Sequence, residues 1–286
     1  MSSFYDPQGR GFPDAFTTID RAQVAMLRDL ASADARLILK GGMAMRVVVG
    51  SMRLTKDVDF DRAAEVSTNA VRASVRKALT YGAQSARLLG AQVDELKVTP
   101  TTVRMRLVGI ASGTPVKFVV EVSGRSAPAH GSYTRVTVTP PPRYGIAPFV
   151  VAAYTHDMLA ATKVAAIMSR WAAPKANTAV QSTEDSPVPL NRNVPRDIYD
   201  LHDLAASTPE QLLGDLFGRD VLQRWKNEVL SKVVGITFDQ ARDELLPYLP
   251  PDLRAFITPE AWEEMALAVA GRVEQWLTGA LKRPLE

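Results

Sequence analysis

An α/β fold of the α+β kind, with a small mixed sheet followed by a helical C-terminal lobe, is predicted by three observations. A carboxylate ladder, Asp57-Val-Asp59-Phe-Asp61, alternates charged and apolar residues at the period of a strand. A glycine pair, Gly41-Gly42, separates a short apolar run from a helix-like segment. Beyond Thr139-Pro-Pro-Pro-Arg-Tyr-Gly145 the pattern turns helical.

Each element follows from local pattern. Residues 1–15 carry Gly, Pro and polar residues and read as an extended arm. Asp20 to Ala31 is a helix, because Val24, Leu27 and Leu30 recur near the 3.6 period. Leu37 to Leu39 is the first strand, and the apolar Met43 to Val49 is a short buried helix. Val58 to Phe60 belongs to the second strand. Glu65 to Leu79 is a helix with Val66, Val71, Val75 and Leu79 on its apolar side. Val103 to Val108 alternates apolar and basic residues, whereas Val116 to Ser123 is more apolar and so more central. Gly109 to Pro115 joins them as a hairpin, and Tyr133 to Val138 is a further strand.

The Pro-rich stretch marks a boundary between a core domain, 1–145, and a helical domain, 146–286. In the second, His156 to Arg170 is a helix and Pro174 to Pro195 is a mobile loop, rich in Ser, Thr, Asn and Pro. Pro195 or Arg196 opens the next helix. Others follow at about Pro209–Phe217, Asp220–Val233, Phe238–Leu246 and Pro259–Leu281. No internal repeat is present.

Composition excludes several classes. The 286 residues suffice for one or two cores. With no cysteine, disulfides and thiolate metal sites are absent, and three histidines argue against a His-rich zinc site. A formal net charge of +3 suits a nucleic-acid partner but is common among enzymes. No apolar run has the length of a membrane span and the N-terminus lacks a signal segment, so a soluble, cytoplasmic protein is expected. The sequence holds neither a Gly-x-Ser-x-Gly elbow nor a Gly-x-x-x-x-Gly-Lys-Ser/Thr loop.

The chemistry-bearing residues start with the ladder. Three like charges on one strand face repel, and a solvated face or a bound cation relieves them. A hard divalent ion such as Mg2+ takes one or two carboxylates plus substrate phosphates, which suits Asp57 and Asp59. Upstream, Lys40-Gly41-Gly42 lets backbone N–H groups and a helix start approach an anion. Glu121 shares a strand face with Lys117 and Val119, and needs a metal or a basic partner if buried. Arg53 can pair a phosphate with its two-pronged guanidinium. Lys163 and Arg170 lie two turns apart along one helix, flanking an apolar stripe. Asp197, in the first turn of its helix, is favoured there by the helix dipole alone.

Lys40-Gly-Gly-Met-Ala-Met-Arg46, followed by Arg53-Leu-Thr-Lys-Asp57-Val-Asp59, resembles the active-site signature of the DNA polymerase β superfamily of nucleotidyltransferases. Its finer pattern is similar to the AbiEii/AbiGii nucleotidyltransferase toxins. The resemblance covers about residues 19–205 in four blocks, in the family's order. It implies a polymerase β-like core, a bi-lobed enzyme, Mg2+ and a nucleoside triphosphate. Asp57 and Asp59 would hold the metal. Glu121 matches the third carboxylate, and Glu121 or Asp197 would assist the attacking hydroxyl. The string around Lys163 matches the helix whose lysine supports the triphosphate. Arg196-Asp197-x-x-Asp200-Leu matches the last motif, with Asp197 catalytic and Asp200 a structural partner, for instance of an Arg. Lys40, Gly41, Gly42, Arg53, Thr55 and Arg196 would meet the nucleotide. A cleft site, a cognate antitoxin and a tRNA 3′ end as acceptor are further implications. Asp61 receives no role. An NTP-binding regulator without transfer activity and a nucleotide-sugar glycosyltransferase are the alternatives.

Overall fold

The computed structural model describes residues 2–33, 36–63, 65–125, 131–169 and 194–283. Arg170, His130 and residues 174–193 of the expected loop lie outside these. The chain divides into two compact units, Met1–Leu159 with Leu249–Asp252, and Ala160–Tyr248 with Leu253–Glu286.

The first unit is built on one sheet. Its strands are β1 (Ser2–Ser3), β2 (Leu37–Lys40), β3 (Asp57–Arg62), β4 (Leu89–Thr99), β5 (Thr102–Ala111), β6 (Thr114–Ser123), β7 (Tyr133–Thr139) and β8 (Phe149–Tyr154). They stand in the order β1-β7-β8-β2-β3-β6-β5-β4. The sheet is mixed: β3 pairs parallel with β6 and β2 parallel with β8, while β2–β3, β4–β5, β5–β6 and β7–β8 are antiparallel. The β5–β6 hairpin turns at Ser112 and Gly113, both with positive φ, as a two-residue turn matched to strand twist requires.

Helices α1 (Asp14–Ala33) and α3 (Thr68–Ser85) pack on one face of this sheet. The alternating strands supply that face with Val58, Phe60, Val103, Met105, Leu107, Phe118, Val120 and Val122, all buried. Between β2 and β3 the chain forms α2 (Gly41–Ala44), continued by a π turn over Met45–Val49. The opposite sheet face carries the charged rows.

The Pro-rich stretch lies inside the first unit, joining the paired strands β7 and β8, and the element after it is a strand. The division between the units falls within α4 (His156–Ser169), after Leu159. The second unit is helical: α5 (Val194–Asp203), α6 (Glu210–Leu216), α7 (Arg219–Val234), α8 (Phe238–Glu244) and, beyond α9 (Pro251–Arg254), α10 (Pro259–Lys282). Helix α10 packs on α5, α6, α7 and α8 through Trp262, Ala266, Val269, Val273, Trp276 and Leu277. No described helix is long and apolar enough to cross a membrane.

Candidate active site

Strand register brings together the candidate residues of the first unit. Lys40 on β2 stands opposite Asp59 on β3, Asp59 opposite Glu121 on β6, and Glu121 opposite Arg104 on β5. Residues opposite one another share a sheet face, so these four form one row across four strands. Asp57 and Asp61 flank Asp59 on that face, one pleat repeat to either side.

The glycine turn is shaped around Asp59. Gly41 has φ +66, and a Cβ placed there would lie 2.6 Å from Asp59 Oδ2. At Gly42 a Cβ would lie 2.8 Å from Thr55 Oγ1 and 3.0 Å from Arg53 Nη2. Both positions therefore exclude side chains, leaving backbone beside the carboxylate strand. The Thr55 hydroxyl donates to the Asp57 carbonyl at 3.0 Å and accepts from the Asp57 N–H at 3.3 Å, fixing the start of β3. Gln23 of α1 donates to the Thr55 carbonyl. Arg53 is buried, and its guanidinium donates to the Leu54 carbonyl at 3.1 Å.

Lys40 is turned toward the next carboxylate of β3. Its ammonium lies 2.6 Å from Asp61 Oδ1, and the Tyr154 hydroxyl donates to Asp61 Oδ2 at 2.5 Å. Burial, with Asp61 beside it, pushes the Tyr154 hydroxyl pKa far up, so it stays a donor. Glu121 has Arg104 on its other side, with Arg104 Nε at 3.7 Å from Glu121 Oε2. The Glu121 carboxylate thus stands between the aspartates of β3 and a basic partner on β5.

The second unit carries a cluster of its own. Lys163 on α4 is clamped by two carboxylates of α5, Asp197 Oδ1 and Asp200 Oδ2, each at 2.6 Å. All three are buried, Asp200 completely. Asp200 is a partner of Lys163. Arg196 stacks over the Tyr248 ring at 5.0 Å and lies 3.8 Å from Glu244.

Arg46, Asp20 and Tyr144 form a further buried group beside the glycine turn, which no local pattern marks. Arg46, in the π turn after the glycines, is ion-paired with Asp20 of α1, and Tyr144 donates to Asp20 at 2.6 Å. Arg46 also lies over the rings of Phe4 and Tyr5, at 4.5 and 5.2 Å. Burial works most strongly against its charge, yet Asp20, Tyr5 and Tyr144 together raise the guanidinium pKa. Tyr5 donates to the Met52 carbonyl at 2.7 Å, just before Arg53. The N-terminal arm thus begins as strand β1, and Phe4 and Tyr5 lie against Arg46 of the π turn.

Hard carboxylate oxygens in the i, i+2 relation, next to backbone cleared of side chains, suit a divalent cation shared with phosphate oxygens. Among the described residues no three His, Cys, Asp or Glu side chains form a group that could hold a metal ion.

A mixed sheet bearing alternating carboxylates beside a glycine turn is the core of a nucleotidyltransferase. The chain belongs to the AbiEii family: the family model for the nucleotidyl transferase AbiEii toxin of type IV toxin–antitoxin systems matches residues 25–276. The fold is similar to that of JHP933 from Helicobacter pylori, with a TM-score of 0.55 and 17% identity over 94% of this chain and 95% of that one. A second H. pylori structure, provisionally described as a nucleotidyltransferase, gives a TM-score of 0.53 and 16% identity over 94% and 97%. No curated protein matches the chain in sequence. The protein is therefore a nucleotidyltransferase of a toxin–antitoxin family, with a nucleotide substrate and an antitoxin partner implied by that membership.

Proposed function

We propose that the protein is a Mg2+-dependent toxin that transfers nucleotides from a nucleoside triphosphate to an RNA acceptor, the 3′ end of tRNA. The observation that carries this reading is the close fit of Gly41 against Asp59, with Glu121 in register beyond it. Asp57 and Asp59 would hold the cation, which when bound neutralises charge developing on the transferring phosphate. The backbone at Gly41 and Gly42, with Arg53, holds phosphate oxygens. Thr55 sets the position of Asp57. Glu121, its charge balanced by Arg104, accepts a hydrogen bond from the acceptor hydroxyl and then its proton. In the second unit, Lys163 is assigned to the triphosphate and Asp197 to the hydroxyl, with Arg196 for the nucleotide. The acceptor class is supported by the family and by the solvent-reaching arginines of β5, which suit phosphate contacts.

Purified protein, each labelled NTP in turn, Mg2+ and total RNA test the reading together. Label is expected in a tRNA-sized band, and is expected to vanish with Asp57→Ala or with chelator. Label in no RNA, or label persisting with Asp57→Ala, would overturn it.

A further inference from the structure

The alternating basic segment of β5 takes no direct part in the transfer chemistry. Its neighbours give it a place. Arg104 and Arg106 on β5 share a sheet face with Glu121 and Lys117 on β6, and with Lys97 and Asp94 on β4. This is the face that carries Asp57 and Asp59, since Asp59 stands opposite Glu121 and Asp57 opposite Val119. The other face of the same strands is the apolar one on which α1 and α3 pack. Lys97, Arg104 and Lys117 are exposed.

Charge on this face is only partly balanced. Arg106 is forked onto Asp94, with contacts of 2.7 and 3.1 Å. Arg104 is 3.7 Å from Glu121, too far for a hydrogen bond. Lys97 and Lys117 make no ion pair among the described residues. Lys97 stands opposite Arg104, so the row from Asp59 runs Glu121, Arg104, Lys97. Three strand spacings make that path about 14 Å. Lys117 lies four residues from Glu121 along β6, about 13 Å away. Two uncompensated ammonium groups therefore stand at similar reach from the carboxylates, on the face opposite the one that α1 and α3 cover.

We infer that this face of β4, β5 and β6 is the track for the phosphates of the acceptor strand, with Lys97 and Lys117 as its uncompensated contacts. The inference rests on the RNA-transfer reading above. A single strand is the occupant the face favours. The row begins at the carboxylates where a 3′ hydroxyl must arrive, and a pleated strand surface offers no helix to enter a duplex groove. The strands carry no aromatic residue on this face, because the one aromatic of β4–β6, Phe118, is buried on the other. Bases therefore find no stacking platform, and recognition is through phosphates and indifferent to sequence.

The test compares the wild type with the Lys97→Glu/Lys117→Glu variant, using a fluorescein-labelled single-stranded oligoribonucleotide with a free 3′ hydroxyl. Anisotropy titrations at several salt concentrations give the dissociation constant and its salt slope. The variant is expected to bind on the order of tenfold more weakly at low salt, with a slope shallower by about 1.4, which is two phosphate contacts on a single strand. Uridine and cytidine homopolymers are expected to bind the wild type alike. Retained affinity for a fluorescent NTP and an unchanged circular-dichroism melt report that the variant is folded. Equal oligonucleotide affinity and slope in the two proteins overturn the track, as does a variant defect confined to one base. The labelling reaction separates this from the parent reading. Wild type that binds the oligonucleotide through these lysines but never labels RNA overturns the transfer proposal and leaves the track standing. Wild type that labels RNA, with equal binding by the variant, overturns the track alone.

Discussion

Lys40 and Asp61 stand on neighbouring antiparallel strands, with the Lys40 ammonium 2.6 Å from Asp61 Oδ1. The pair makes Asp61 the anchor of a lysine next to the glycine turn, a role that alternation alone did not assign it. Tyr154 closes the group from β8. Because both members are largely sheltered from solvent, the pair outweighs an exposed surface bridge. Asp61→Asn is expected to lower the unfolding free energy by about 1.5–3 kcal/mol, the range for hydrogen bonds to charged groups. A double-mutant cycle with Lys40→Met in urea measures the coupling. Purely additive effects would show that the two residues do not act as a pair.

Gly41→Ala tests the approach to Asp59. Positive φ alone costs an alanine about 1–2 kcal/mol. Gly50 has φ +77, and a Cβ added there would meet nothing within 4 Å, so Gly50→Ala bears that cost only. At Gly41 the added Cβ would also press on Asp59 Oδ2 at 2.6 Å. Gly41→Ala is expected to lose nucleotide transfer by about tenfold or more relative to Gly50→Ala, because a small misplacement at a reacting centre is costly. The comparison is made at a temperature where both variants are folded. Equal activity in the two would dissociate the glycine from the site.

Glu95 on β4 gives a pH prediction. Hydrogen bonds from Arg72 and Arg76 of α3 hold its carboxyl well below the ordinary 4.5, at about 2. A folded-state pKa below the unfolded value contributes stability that is full above about pH 4.5 and is lost as pH falls toward 2. Glu95→Gln is therefore expected to be less stable than the wild type at pH 7, with the gap closing between pH 4.5 and pH 2. Urea midpoints across that range measure it. A gap that is constant with pH would mean the contact is not ionic.

Legibility in the sequence followed the range of the interaction. The face of each carboxylate on β3 and of Glu121 on β6 was readable, because a period of two sets faces locally. The partners were not. Asp20, Arg46 and Tyr144 meet from three separate elements, and nothing local marks them as a group. Strand β4 was missed because its residues are mostly exposed on both faces and a register shift between Glu95 and Lys97 breaks its alternation. Strand β8 is a short apolar run after prolines, which periodicity alone does not separate from helix. The glycines and prolines of residues 1–15 gave only an extended arm, and did not show that burial and stacking of Phe4, Tyr5 and Phe12 tie it down.

Lys163, Asp197 and Asp200 allow structure and catalysis to be separated within one cluster. Lys163→Met leaves two carboxylates without their shared cation in a buried place, and a cost of about 3–5 kcal/mol is expected. Asp197→Asn and Asp200→Asn each remove one charge while Lys163 keeps the other carboxylate, so the two should lose similar, smaller amounts of stability. Their activities should diverge. If Asp197 assists the acceptor hydroxyl, Asp197→Asn loses transfer by about 100-fold or more, the scale of a positioned proton acceptor. Asp200→Asn, which touches Lys163 and is assigned no part in the transfer, should retain activity to within about tenfold under the same conditions. Labelling rates at saturating NTP, taken well below both melting temperatures, make the comparison. Equal loss in the two variants would assign Asp197 to holding Lys163, and would leave the acceptor hydroxyl to Glu121 alone.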